Sequence, residues 1–167
     1  MGLLNRFLTS VRAHQPPAVQ SLRDSIAKLR IAIFARLLLK YADREEVERK
    51  FLAAAVFNEA ILEPPGNKEA ERYLARNRDL VTTEALKLTE DQELAEALSY
   101  LYAAQVLFYV YLTQRPVSEE SMSLAERASE LGLYVPSTFD ICGTSDANAC
   151  AAAIAEYANQ AAANAAR

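Results

Sequence analysis

No tryptophan occurs in this 167-residue chain, glycine only four times, cysteine twice and histidine once. Each scarcity removes a class of structure or chemistry. Tight β-hairpins rely on glycine with Asn or Asp at positive φ, so a hairpin-rich fold is disfavoured. One histidine and two cysteines are too few for a zinc site, and His14 lies far in sequence from Cys142 and Cys150. The P-loop, GxGxxG, HExxH and GxSxG patterns are missing. The acid pairs Glu45/Glu46/Glu48, Glu69/Glu71 and Glu119/Glu120 lack the Glu-x-x-His partner of a di-iron bundle, and their place in first helical turns suits the helix dipole. No metal or cofactor is expected. A membrane-spanning run is also missing: residues 97–112 are broken by Ser99 and Gln105, short of the roughly 20 apolar residues a span needs.

The N-terminus, MGLLNRFLTSVRAHQPP, lacks a signal-peptide pattern, because Asn5, Arg6 and Arg12 interrupt its apolar residues. Arg6 stands where a myristoylation motif wants Ser or Thr. A cytoplasmic location is expected, and with it reduced rather than bridged cysteines.

What remains abundant is helix-forming. Alanine is plentiful, hydrophobic residues make up 51% and charged residues 24%, ordinary globular usage for one domain. Proline and glycine fall between segments: Pro16-Pro17, Pro64-Pro65-Gly66, Pro116, Gly132 and Gly143. Start signals precede the segments: Asp43, Asn67, Thr89, Ser118, and Thr144 or Ser145. These marks predict helices near 3–13, 18–41, 44–62, 68–87, 90–113, 119–131 and 146–165. The segment 68–87 is the most open to a break, at Val81-Thr82-Thr83, and 139–150 reads as irregular. The expected fold is all-α: a short amphipathic arm over 1–15, then a single-domain bundle over 16–167, about five to seven helices in all, ending in an Ala-rich helix. Helices 18–41 and 90–113 are expected at its centre.

Within 18–41, Val19, Leu22, Ile26, Leu29, Ile33 and Leu37 form one stripe at spacings of 3 and 4, the seam of a bundle helix. From Ile31 onward apolar residues spread around the helix, which implies cover on more than one side. Charge is divided just as unevenly. Residues 1–41 hold seven Lys or Arg and one acid, while the rest holds 11 basic and 21 acidic residues. Docking of the basic helix on the acidic remainder of the same fold is the simpler reading, an anionic partner the other. The basic residues are scattered around the helix without a recognition element, so no nucleic acid is expected.

The stretch YLYAAQVLFYVYL, 100–112, is apolar on every side. Tyr102, Gln105, Val106 and Tyr109 form one stripe, and Tyr100, Leu107 and Tyr111 another. Tyrosine favours interfaces with a wet edge. The functional expectation is therefore a non-enzymatic protein–protein interaction or assembly module, self-associating, with Tyr100, Tyr109, Tyr111, Phe7 and Leu8 as contact residues. The alternative is a bundle binding a small apolar ligand or pigment at Tyr102, Gln105 and Tyr109. A third reading is an enzyme using Cys142 as nucleophile, its thiol acidified at a helix N-terminus. The simpler reading is that Thr144 or Ser145 caps that helix while both cysteines pack as small hydrophobes. Asn58 is expected to be a buried amide paired with a neighbour. The arm, with Leu3, Leu4, Phe7, Leu8 and Val11 on one side, docks on protein; membrane contact is its lesser use.

Overall fold

A computed structural model describes residues 17–61, 68–114, 126, 129–130, 138–144 and 146–167. Among them the chain forms six helices and no strand: α1 (Pro17–Lys40), α2 (Arg44–Ile61), α3 (Lys68–Thr89), α4 (Gln92–Thr113), α5 (Thr138–Cys142) and α6 (Ala147–Ala165). They make a single all-α bundle. The expected arm with Phe7 and Leu8 lies outside the described residues, as do the caps at Asn67, Ser118 and Gly132 and nearly all of the helix near 119–131.

The stripe on α1 builds the main core. Leu22, Leu29, Ile33 and Leu37 are buried there with Leu94, Leu98, Leu101 and Leu107 of α4 and Ile154 and Ala158 of α6, and Val19 is buried as well. A smaller core joins Ala53, Val56 and Phe57 of α2 to Val81 and Ala85 of α3 and Val106 of α4. α4 thus serves both cores, which is why its sequence is apolar all round. α1 packs chiefly on α6 and α4, and α2 chiefly on α3.

The helix ends follow local chemistry, with two shifts from the sequence reading. Asp43 accepts the Glu45 amide at 2.9 Å, as its capping signal predicts. The cap of α4, however, is Asp91 and not Thr89. Asp91 Oδ1 accepts the amides of Glu93 at 3.1 Å and Leu94 at 3.2 Å, while Thr89 turns back to donate to the Leu86 carbonyl. Burial would raise the Asp91 carboxyl. The hydrogen bond from Lys40, the Leu94 amide and the charges of Lys40 and Arg36 outweigh it, and hold the group below its ordinary value. Likewise Asp146 caps α6 by accepting the Asn148 amide, and Thr144 accepts the Asp146 amide.

α3 is irregular at Asn77 (φ −125°, ψ 29°), not at Val81-Thr82-Thr83. The Asn77 side chain donates to the Tyr73 carbonyl four residues back, so it competes with the helix ladder. Val81 is held helical because it is buried in the smaller core. The stretch read as irregular contains the short helix α5, which closes on Gly143 at φ +67°, a conformation glycine adopts without a Cβ clash.

Among the described residues no helix is long and apolar enough to cross a membrane.

Candidate interaction surface

The tyrosines of α4 meet this chain's own helices. Tyr100 stacks on Tyr157 of α6, with ring centroids 3.9 Å apart and planes 8° from parallel. Burial, then the charge of Glu96, the Tyr100 phenol and the charge of Glu93, push the Tyr157 phenol up to about 12. Tyr111 donates to Asn148 Oδ1 of α6 at 2.5 Å. Tyr109 packs against the smaller core, its phenol raised by burial and by Glu59 and partly lowered by Arg30. Both tyrosine stripes are thus in contact with other helices of the same molecule.

The second expected constellation, Tyr102, Gln105 and Tyr109, lies along the seam between the two cores. Gln105, 4% exposed, accepts from Asn58 Nδ2 and donates through Nε2 to Glu59 Oε1 at 3.3 Å. Glu59 in turn holds Arg30 of α1. Tyr102 packs against both cores, and burial pushes its phenol well above the ordinary value. Gln105 therefore ties α4 to α2 and, through Glu59, to α1. Asn58 is the paired buried amide its sequence position suggested, although its Oδ1 is buried without a hydrogen-bond partner. The cavity of about 300 Å³ between α1, α4 and α6 opens elsewhere, walled by Ala32, Arg36, Leu39, Glu93, Tyr157 and Asn164 among others.

Cys142 and Cys150 are bridged, with Cα atoms 5.0 Å apart, and this corrects the expectation of reduced thiols. Compartment, on which that expectation rests, carries no information about geometry. α5 brings Cys142 against the first turn of α6, within the separation a disulfide requires. A bridged sulfur has no thiolate, so Cys142 is not available as the nucleophile considered from sequence. The anion position at the start of α6 is taken by the carboxylate of Asp146.

A buried ion pair was not foreseen. Lys50 of α2 reaches Glu84 of α3 at 2.9 Å, both nearly buried, with Glu46 at 3.8 Å and the Tyr41 ring 4.8 Å from the ammonium. The hydrogen bond from Lys50, opposed by burial and aided by the charges of Lys50 and Lys87, holds the Glu84 carboxyl below its ordinary value. Lys50 sits in the charged stretch REEVERKFL, where no spacing signal marks it for burial against Glu84.

Basic α1 does dock on its own acidic neighbours: Arg30 on Glu59, Arg36 on Glu93 at 3.0 Å and Lys40 on Asp91 at 3.0 Å. The helix is covered on three sides. α4 lies beneath it; α2 flanks it through the Phe34–Phe51 ring contact, with centroids 5.1 Å apart; α6 flanks it through Lys28, which donates to Asn159 at 2.7 Å. Among the described residues no helix packs on the fourth side, which is apolar at its middle. Ile31 is 64% exposed and Leu38 47%, with half-buried Ala35 between them; Leu39, on the edge toward α6, is 81% exposed. At 100° per residue, positions 31, 35 and 38 fall on one stripe. Beside it lies a second cavity of about 250 Å³, walled by Phe34, Leu38, Tyr41, Ala42 and Arg44. The sequence signal for this surface is the spread of apolar residues in IAIFARLLLK, which implies cover on more than one side without showing which side the other helices leave exposed.

No protein-family model matches this chain, and no curated protein or solved structure matches it either.

Proposed function

We propose that this domain is a non-enzymatic protein–protein interaction module that associates with itself. The supporting observation is the open side of α1. Ile31, Leu38 and Leu39 stand exposed on a helix whose other three sides are packed, and contiguous exposed apolar area is how soluble domains mark contact surfaces. The tyrosines first read as contact residues, Tyr100, Tyr109 and Tyr111, are engaged with α6 and the smaller core, so the outer face of α1 carries the contact.

Light scattering across a concentration series tests the reading. It predicts a mass that rises from one chain toward two as concentration increases, and that stays at one chain in Ile31→Glu/Leu38→Glu. A wild-type chain that remains monomeric at high concentration and low salt contradicts it.

A further inference from the structure

Five alanines, Ala32 and Ala35 of α1, Ala97 of α4, and Ala161 and Ala165 of α6, line the cavity of about 300 Å³ between these three helices. Methyl side chains on all three helices leave open a space that larger residues would close. Its volume is at the small end of ligand pockets, which run from about 300 to 1,000 Å³. Buried Ile33 and Leu94 add to the apolar lining, and Tyr157, fixed by its stack on Tyr100, is the aromatic wall. The charge around the space is unequal. Two carboxylates, Glu93 and Glu96, line it with one guanidinium, Arg36. Arg36 is engaged by Glu93 at 3.0 Å, and its Nε, without a hydrogen-bond partner, is enclosed out of a ligand's reach. Exposed Glu96 holds no ion pair among the described residues. Gln160, Asn164 and Ala165 belong to the end of α6, so the negative pole of that helix opens on the same space, and no basic residue complements its last turn. Arg167, past the end of α6, is not among the walls. The positive pole at the start of α4 is already met by the Asp91 carboxylate.

From this lining we infer that the cavity binds a small free amine with an aromatic or apolar body, its ammonium held by the Glu96 carboxylate and the C-terminal end of α6. The body packs among the alanines beside Tyr157. An ammonium brings three donors and no acceptor. The walls supply matching acceptors: the Glu96 carboxylate, the side-chain amide oxygens of Gln160 and Asn164, and the Tyr157 phenol oxygen. The Tyr157 ring adds an aromatic partner for the cation or for the body of the ligand. An anion of the same shape would meet Glu96 and the negative pole of α6, with the one guanidinium already spent on Glu93. The site is separate from the seam of Tyr102, Gln105 and Tyr109, and it goes beyond the self-association proposed above without depending on it.

An NMR titration of the full chain with phenethylamine tests the site, with hydrocinnamate as the acid and phenethyl alcohol as the neutral molecule of matched shape. Saturable shifts are expected at Ala97, Tyr157 and Ala161, with affinity for the amine roughly tenfold above that for the acid at low salt. Glu96→Gln is expected to weaken the amine by about threefold to fivefold and to leave the alcohol unchanged, a split that a damaged fold would not produce. Ala161→Phe and Ala165→Phe fill the space, and each is expected to weaken the amine by about tenfold or more. Circular dichroism checks the fold of both, and Ala165, the last residue of α6, keeps the test open if Ala161→Phe does not fold. Shifts that fail to saturate or that miss the cavity walls overturn the inference. So does equal affinity for amine and acid, full amine affinity in Glu96→Gln, or full amine affinity in the folded filled variants.

Discussion

Helices α1 and α4 carry the same excess of apolar residues and spend it differently. α4 runs between two cores: its leucines face α1 and α6, Val106 faces α2 and α3, Tyr100 stacks on Tyr157, and Tyr111 bonds to Asn148. Every stripe of it meets protein from its own chain. α1 is packed by α2, α4 and α6, and among the described residues no helix packs on its fourth side. An apolar circumference in a sequence thus reports how many faces want cover. Which face goes without is decided by topology, here by α2 and α6 flanking α1 and leaving Ile31 and Leu38 outward.

The sharpest way to break that comparison is to truncate the two helices in turn. Leu107→Ala in α4 removes a fully buried side chain and is expected to cost about 2–5 kcal/mol in urea denaturation, the usual range for a core cavity. Leu38→Ala at monomer concentrations is expected to change stability by no more than about 0.5 kcal/mol. Equal losses at the two sites would mean that the outer face of α1 is packed within the chain after all.

Next in size is the Lys50–Glu84 ion pair between α2 and α3. Lys50→Met leaves the buried Glu84 carboxylate with only the more exposed Lys87 at 3.5 Å, a loss of about 3 kcal/mol at neutral pH. The same pair gives a pH signature. The folded-state pKa of Glu84 lies below the ordinary 4.5, so its contribution is present above pH 4.5 and fades as pH falls through the lower folded value. Denaturation between about pH 5 and pH 3 is expected to show a shallower loss of stability in Glu84→Gln than in wild type. A steeper loss would reverse the assigned sign.

Smaller again is the N-terminus of α4. Asp91→Ala removes a cap that accepts two amides, and the expected cost is about 1 kcal/mol. Thr89→Ala, the cap read from sequence, is expected to cost less, since Thr89 only donates back to the Leu86 carbonyl. The order of the two losses, read from thermal melts, decides which residue caps the helix.

The periodicity of the chain made the long helices legible, because Val19, Leu22, Leu29, Ile33 and Leu37 repeat at helical spacing and are all buried together. Local signals located ends to within a few residues, and erred where two cap-capable residues stood close, as with Thr89 and Asp91 or Thr144 and Asp146. Other features needed the third dimension. Val81-Thr82-Thr83 is poor helix sequence, yet burial of Val81 keeps it helical, and the irregularity falls at Asn77, where a side chain competes for a carbonyl. The Lys50–Glu84 pair joins residues 34 apart, and no spacing rule connects them. The Cys142–Cys150 bridge depends on α5, a helix too short to leave a periodic signature. For the candidate surface, the excess of apolar residues on α1 is readable in the sequence, while the neighbours of the α4 tyrosines are supplied only by the fold.

The central claim is that the bare side of α1 holds copies of this chain together and contributes little to folding. Sedimentation velocity on wild type and Ile31→Glu/Leu38→Glu, each over a hundredfold concentration range, tests it most directly when paired with one urea titration of each. The expected result is a concentration-dependent dimer for wild type, a monomer for the variant, and urea midpoints that agree at monomer concentrations. A variant that dimerises as wild type does, or a wild type that never leaves the monomer, would contradict the claim.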